Sequence, residues 1–371
     1  MNSLRADFIK TRLFAYAPKS WCVFGAVFFL SACAHVGPGT IPMDRFDYST
    51  AVADSWKQQT LLNIIKLRYM DLPVFVDVAS IVSGYSIETS GNFGGQSTSG
   101  DVLSSNALIL GGASKFTDRP TITYVPLTGE KFLRGLITPI DPKNIFFMLQ
   151  TGYAADFILG LTVESLNGVR NRSSMGGGFR EADADFAQAL DLMREVQHEG
   201  AFGMRVEEST ATGSVGVLFF RRDDLPSDTL EKMNAIRRLL RLPSDQQSFE
   251  ITYSPMRGTD SQLAVNSRSM LQIMQAFASY LDVPEAHLQD HSAVPAFEHN
   301  DADNLRNRIK IHSGKEKPES AFARVFYRDY WFWIDERDLA TKRALTAVMF
   351  FFTLADTGGK DPLPLITIPA Q

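Results

Sequence analysis

The sequence predicts an α+β fold, and three observations predict it. A helical periodicity over 47–69 stops ahead of Pro73. A stretch rich in Gly, Ser and Thr with strand-like runs then occupies 74–125. Beyond residue 180, strands and helices intermix without the regular βαβ alternation of a doubly wound sheet.

Each element follows from its pattern. In the first helix Val52, Trp56, Leu61, Leu62, Ile64, Ile65 and Leu67 recur at three- and four-residue spacing, which makes one face apolar. Pro73 cannot continue it, and its polar side carries too few Lys and Arg for a membrane-surface helix. Runs at 74–88, 108–113 and 121–125 read as strands, separated by a polar loop over 89–105 that holds Gly91, Gly94, Gly95 and Gly100. Within this stretch Tyr85, Ile87 and Phe93 alternate with Ser86, Glu88 and Asn92. An ordinary water-exposed sheet explains the alternation, and so does a hairpin inserted in a membrane barrel.

Helices are predicted over 131–137 and from 142 through Leu161, and the Arg- and Gly-rich run at 170–178 marks a break. After it come a helix at 181–198, strands at 201–207 and 214–221, a helix at 226–240, a strand at 249–253 and a helix at 267–281. A short strand at 308–311, an aromatic strand region at 323–335, a helix at 337–355 and a last strand at 363–368 complete the reading. The helix is apolar nearly all round from Ala344 onward and too short to span a bilayer, so it is read as buried or shared with a partner subunit.

Composition narrows the function classes. The 371 residues carry 37 Lys and Arg against 42 Asp and Glu, a net charge of −5, without the clustered basic face expected of a nucleic-acid binder. The two cysteines are Cys22 and Cys33, which leaves the chain beyond Cys33 without a disulfide, a thiol nucleophile or a cysteine metal site. No Gly-x-Ser-x-Gly elbow and no Walker A loop occurs.

Three local constellations remain. His287 and His291 stand four apart, with Asp290, Glu298, His299, Asp301 and Asp303 nearby, but the spacing is not His-Glu-x-x-His and Pro284 and Pro295 flank a strongly polar segment. It reads as a solvated loop, with no metal and no cofactor assigned. Gly176-Gly177-Gly178 beside Arg170, Arg172 and Arg180 lacks the Lys-Ser/Thr that follows a phosphate loop, and a linker is the better reading than an anion cradle. Rings fall on both parities of 326–333, which suits a central strand covered on both faces better than a glycan- or peptide-stacking groove.

The amino terminus carries the most specific signal. Arg5, Lys10, Arg12 and Lys19 against Asp7 precede an apolar run over 21–30, which ends in Leu30-Ser31-Ala32-Cys33. This resembles the signal peptide and lipobox of bacterial lipoproteins, a resemblance confined to residues 1–33. It implies cleavage before Cys33, diacylglyceryl and fatty-acyl (palmitate-type) modification of Cys33, and, with Ala34 rather than Asp following, a place in the periplasmic leaflet of the outer membrane. Removal of 1–32 leaves 339 residues with 33 Lys and Arg against 41 Asp and Glu, a net charge of −8.

The expected organisation is therefore a signal peptide at 1–32, a short tether at 33–42, an α+β lobe at 43–170, a flexible loop at 171–180 and a second α+β lobe at 181–371. The Gly- and Pro-containing tether keeps the folded part close to the membrane. The leading functional expectation is an outer-membrane-anchored periplasmic lipoprotein, non-catalytic, that binds an envelope protein or supports an envelope assembly. An oligomeric export or pore-forming lipoprotein and a hydrolase of envelope polymers are the alternatives. The expected partners are the membrane, through the Cys33 lipid, and an envelope protein or further copies of the chain, with no nucleic acid.

Overall fold

The computed structural model describes residues 41–82, 84–98, 105–173, 180–209, 213–221, 225–295 and 309–355. The lipobox with Cys33, the tether up to Thr40, Gly176-Gly177-Gly178, Glu298, His299, Asp301, Asp303 and the predicted last strand lie outside the described residues. The fold is α+β, with a helix first, then a β region, then intermixed strands and helices. It separates into two compact units, Met1–Ala51 with Gly84–Arg119, and Val52–Ser83 with Pro120–Gln371.

Helix α1, Ile41–Arg68, starts earlier than the periodicity predicts. Pro42 suits a first turn, where an N–H would go unused, and Asp44 faces the positive end of the helix dipole. Its C-terminal part buries Leu61, Ile64, Ile65 and the following Tyr69 in the larger unit. There β1 (Phe75–Val82) pairs antiparallel with β4 (Thr121–Leu127), with a bulge at Ala79.

In the smaller unit β2 (Tyr85–Thr98) and β3 (Ser105–Asp118) form a two-stranded antiparallel sheet. Most of the predicted loop over 89–105 is thus strand. Gly91, Gly94, Gly95 and the hydroxyl residues Thr89, Ser90, Ser97, Thr98 and Ser105 fall into unbroken register.

The larger unit continues with α2 (Glu130–Ile137), α3 (Pro142–Gln150), α4 (Ala155–Thr162), β5 (Val163–Leu166) and β6 (Val169–Arg170). The predicted single helix from 142 to 161 is two helices, because Gly152 adopts φ 95° just after α3. Next come α5 (Ala184–Gln197), β7 (Phe202–Ser209), β8 (Gly213–Phe220), α6 (Ser227–Leu239), β9 (Ser248–Tyr253) and β10 (Gln262–Ser267).

Six of these strands make one sheet in the order β6-β5-β10-β9-β8-β7, so the sheet draws strands from both sides of 171–180. Only the β9–β10 pair is parallel. Parallel neighbours usually need a crossover of about a dozen residues. Here residues 254–261 suffice, because Gln262 pairs with Glu250 and the return covers only the last part of β9. Strand β10, three of whose residues are Gln, Asn and Ser, is not evident in the sequence.

Helix α7 (Met270–Ala278) opens with a capping box in which Ser269 and Gln272 satisfy each other's backbone N–H. After α8 (Glu285–Gln289), strands β11 (His312–Gly314), β12 (Ala323–Tyr327) and β13 (Tyr330–Ile334) form a three-stranded sheet in the order β11-β13-β12, and α9 (Leu339–Ala355) closes the described chain. The aromatic run is therefore a hairpin rather than one strand. Arg328 and Asp329 both take positive φ, 46° and 63°, as a tight two-residue hairpin turn requires. One core joins these elements, with Phe146, Phe186, Phe249, Phe277, Phe332 and Phe351 fully buried.

Candidate functional site

The hairpin of β2 and β3 differs from every other part of the fold. Its backbone pairs over 14 consecutive residue pairs, from Tyr85 opposite Asp118 to Thr98 opposite Ser105, without a shift in register. By that register one parity takes Tyr85, Ile87 and Phe93 on β2 and Phe116, Leu110 and Leu108 on β3, along with the polar Thr89, Ser97, Asn106, Ser114 and Asp118. The other takes Ser86, Glu88, Ser90 and Asn92 with Lys115 and Thr117; Ala107, Ile109 and Ala113 are its apolar members. Glu88 and Lys115 are direct partners, so the two opposite charges of this parity sit across from each other.

Among the described residues nothing covers the middle of this hairpin. Thr89, Ser90, Gly91, Asn92, Gly94 and Gly95 are exposed, and so are residues 111–116, on both parities. Phe116 is 60 % exposed although its ring stacks on Tyr85 at 5.9 Å. Gly91 stands opposite Gly112, and a Cβ added at Gly95 or Gly112 would meet open space. No contact among the described residues thus calls for glycine there. The sheet has two strands, so each has an outer edge unpaired among the described residues.

An isolated two-stranded ribbon is marginal in water, and a long unpaired edge invites another strand. Among the described residues no helix is long and apolar enough to cross a membrane.

The other sequence-predicted sites resolve differently. His287 Nδ1 lies 2.8 Å from the Tyr69 hydroxyl, and its ring packs edge-on against Tyr330 at 4.9 Å. Helix α8 ends at Gln289, and His291 lies beyond it at φ 57°, exposed. The two imidazoles therefore do not share a helix face. Among the described residues no group of three or more His, Cys, Asp or Glu could hold a metal ion.

His287 belongs instead to an aromatic and ionic cluster. Tyr327 donates its hydroxyl to Asp71, Arg328 Nη2 lies 3.3 Å from Asp71 Oδ2, and the Arg328 guanidinium sits 5.0 Å from the centre of the Tyr69 ring. Burial pushes the Tyr69 hydroxyl up to about 12, against the opposing pull of Arg328 and Arg68. Hydrogen bonds from Ser292 hold the Asp290 carboxyl below its ordinary value. The cluster joins the end of α1, α8 and the β12–β13 turn, which is a structural task that sequence spacing does not reveal.

In the aromatic hairpin Phe332 and Ile334 are fully buried, while Trp331 and Trp333 are half-buried, with Trp333 stacked on His312. Helix α9 buries Ala344, Leu345, Ala347, Val348 and Phe351 but leaves Phe350 and Leu354 exposed. Arg170 and Arg180, flanking the glycine run, both line a pocket. No family model, no curated protein and no solved structure matches this chain.

Proposed function

We propose that the protein is an outer-membrane lipoprotein, anchored through Cys33 on the periplasmic side, that works as a homo-oligomer in envelope assembly or export. In this reading the β2–β3 hairpin of each copy supplies two strands of a shared, closed sheet in the bilayer. The observation that carries it is the unbroken 14-pair register, with every large apolar residue of the hairpin except Ile109 at one parity and both outer edges unpaired among the described residues. Fourteen residues extend about 46 Å, and a tilted membrane strand needs about 9–11 residues. Closure of several hairpins would pair each edge, as a bilayer demands of every backbone polar group. The lipobox supports the address, and the absence of a local catalytic motif in the sequence favours a non-catalytic role over hydrolysis of envelope polymers.

A second reading, a tethered protein that binds another envelope protein, is favoured by the surface of the larger unit. Helices α2 and α9 meet through the Phe132–Phe352 ring contact and leave Leu133, Ile137, Phe350 and Leu354 exposed.

Light scattering on protein extracted in mild detergent with its lipid intact separates the two. Ser90 and Ala113 are register partners, so joining them through Asn-Gly shortens the hairpin and keeps its parity. The oligomeric reading expects a ring-sized species that falls to monomer in the shortened variant while the thermal transition of the remainder persists. A monomer in both forms overturns it and leaves the tethered binding protein.

A further inference from the structure

A second site lies on the six-stranded sheet, in a pocket of about 650 Å3 lined by Arg170, Arg180, Arg241 and Arg257. Four arginines line it in a chain whose net charge is −5. The single carboxylate in the lining, Glu164, is already committed. Arg180 Nη2 binds its Oε1 at 2.7 Å, and the buried Arg268 binds its Oε2 at 3.0 Å. Arg257 has only an exposed pairing with Asp260. The side chains of Arg170 and Arg241 have no partner among the described residues, and Arg180 Nη1 is buried without an acceptor. Positive charge here exceeds what the described fold neutralises.

The rim is built rather than incidental. Asn167, fully buried at φ 47°, forms the β5–β6 turn with Gly168, donates Nδ2 to Leu240 O at 2.9 Å and accepts from Ala264 N at 2.8 Å. One amide thus fixes the turn, the residue before Arg241 and strand β10 to each other. The β9–β10 connection brings Arg257 to the same rim. Arg241 itself occupies the position just past the α6 cap at φ 57°, where glycine or asparagine is the ordinary choice. A strained arginine at a binding rim points from the outlier to a use for its side chain.

We propose that this pocket binds a phosphate group. A carboxylate offers one charge and two oxygens, whereas a phosphate offers up to two charges and enough oxygens for bidentate bonds from two guanidiniums at once. The volume leaves room for an alcohol substituent, so the group belongs either to free inorganic phosphate or to a phospholipid headgroup. The site stands independently of the role of the hairpin.

Calorimetric titration of the purified protein with inorganic phosphate, with glycerophosphoglycerol and with acetate at equal ionic strength tests it. Binding of at least one phosphate compound is expected, weakened about tenfold by Arg170→Gln and by Arg241→Gly, the loss of one charge-assisted pair. Arg241→Gly should leave the melting temperature unchanged or raised, because glycine takes that backbone conformation freely. A merely structural arginine would lower it. Tighter binding of glycerophosphoglycerol assigns a headgroup, and equal or tighter binding of inorganic phosphate assigns the free ion. No binding of either up to about 10 mM, where even weak millimolar affinity is visible, overturns the proposal. So does acetate bound as tightly, or an affinity unchanged in both variants.

Discussion

The side-chain amide of Asn63 pairs reciprocally with the backbone of Val74: Nδ2 donates to its carbonyl at 2.8 Å, and Oδ1 accepts from its N–H at 2.9 Å. Gln59, one helical turn earlier, repeats the arrangement with Val76 at 3.1 and 2.8 Å. Residues four apart share a helix face, and residues two apart share a strand edge, so two amides stand in for a neighbouring strand at the start of β1. The edge of β1 away from β4 is thereby satisfied by α1. No such cover protects β2 and β3 among the described residues, and that contrast separates the framework from the hairpin.

Asn63 is fully buried, so Asn63→Ala strips both hydrogen bonds from the Val74 backbone without admitting water. A loss of about 2–3 kcal/mol is expected, against about 1 kcal/mol for Gln59→Ala, which is half-buried. Urea midpoints of the two variants measure the difference. Equal losses would show that the amides act through packing rather than through the edge they satisfy.

Tyr69 supplies a pH signature. Its folded-state pKa, raised to about 12, exceeds the ordinary value of 10.0, so the unfolded chain loses this proton first as pH rises. Its contribution to stability is complete below pH 10 and fades as pH climbs towards 12. Tyr69→Phe should flatten that part of the stability profile and cost about 1 kcal/mol at neutral pH through the lost bond to His287. Denaturation at pH 8 and 11 compares the two proteins; a variant as alkali-sensitive as the parent would place the titration elsewhere.

The framework was largely legible because its elements follow one strong period each, as Leu61, Ile64 and Ile65 do on α1. What escaped depended on partners distant in sequence. The residues over 89–105 look like a loop because Gly, Ser and Asn are poor strand formers, yet register with 105–118 holds most of them extended. β10 hides because Gln262 and Asn266 interrupt its apolar run, although Leu263, Ala264 and Val265 are buried between neighbouring strands. The arginine pocket was half visible in Arg170 and Arg180, while Arg241 and Arg257 reach it only through a helix end and the short parallel connection.

Arg268 shows how strongly the fold depends on one carboxylate. It is buried, and burial pulls its pKa below the ordinary arginine value while Glu164 opposes the shift. Its guanidinium also donates to the carbonyls of Gly160 and Leu161 at 3.1 Å each, so it cannot swing out to water without releasing the end of α4. Glu164→Gln therefore leaves a buried cation short of its counter-charge, with an expected loss of about 3 kcal/mol. Thermal unfolding checks this, and a loss below about 1 kcal/mol would mean that the carbonyl acceptors and the new amide suffice.

The parity of the hairpin yields the sharpest test of its environment. Gly111 and Gly112 are adjacent, both exposed, and near the middle of the ladder, opposite Asn92 and Gly91. They fall on opposite parities, Gly112 with Tyr85 and Phe116, Gly111 with Glu88 and Lys115. In water the two positions are equivalent, since an added Cβ at Gly112 meets nothing and at Gly111 only touches Asn92 at 4.0 Å. In a barrel one parity meets lipid and the other the lumen. An arginine at the bilayer midplane costs about 2–4 kcal/mol on the lipid side of each strand and little on the lumen side. Gly112→Arg should therefore abolish the membrane-inserted oligomer, and Gly111→Arg should retain it with altered conductance in planar bilayers. Two variants equally impaired, or equally unaffected, would place both faces of the hairpin in the same medium and exclude the barrel.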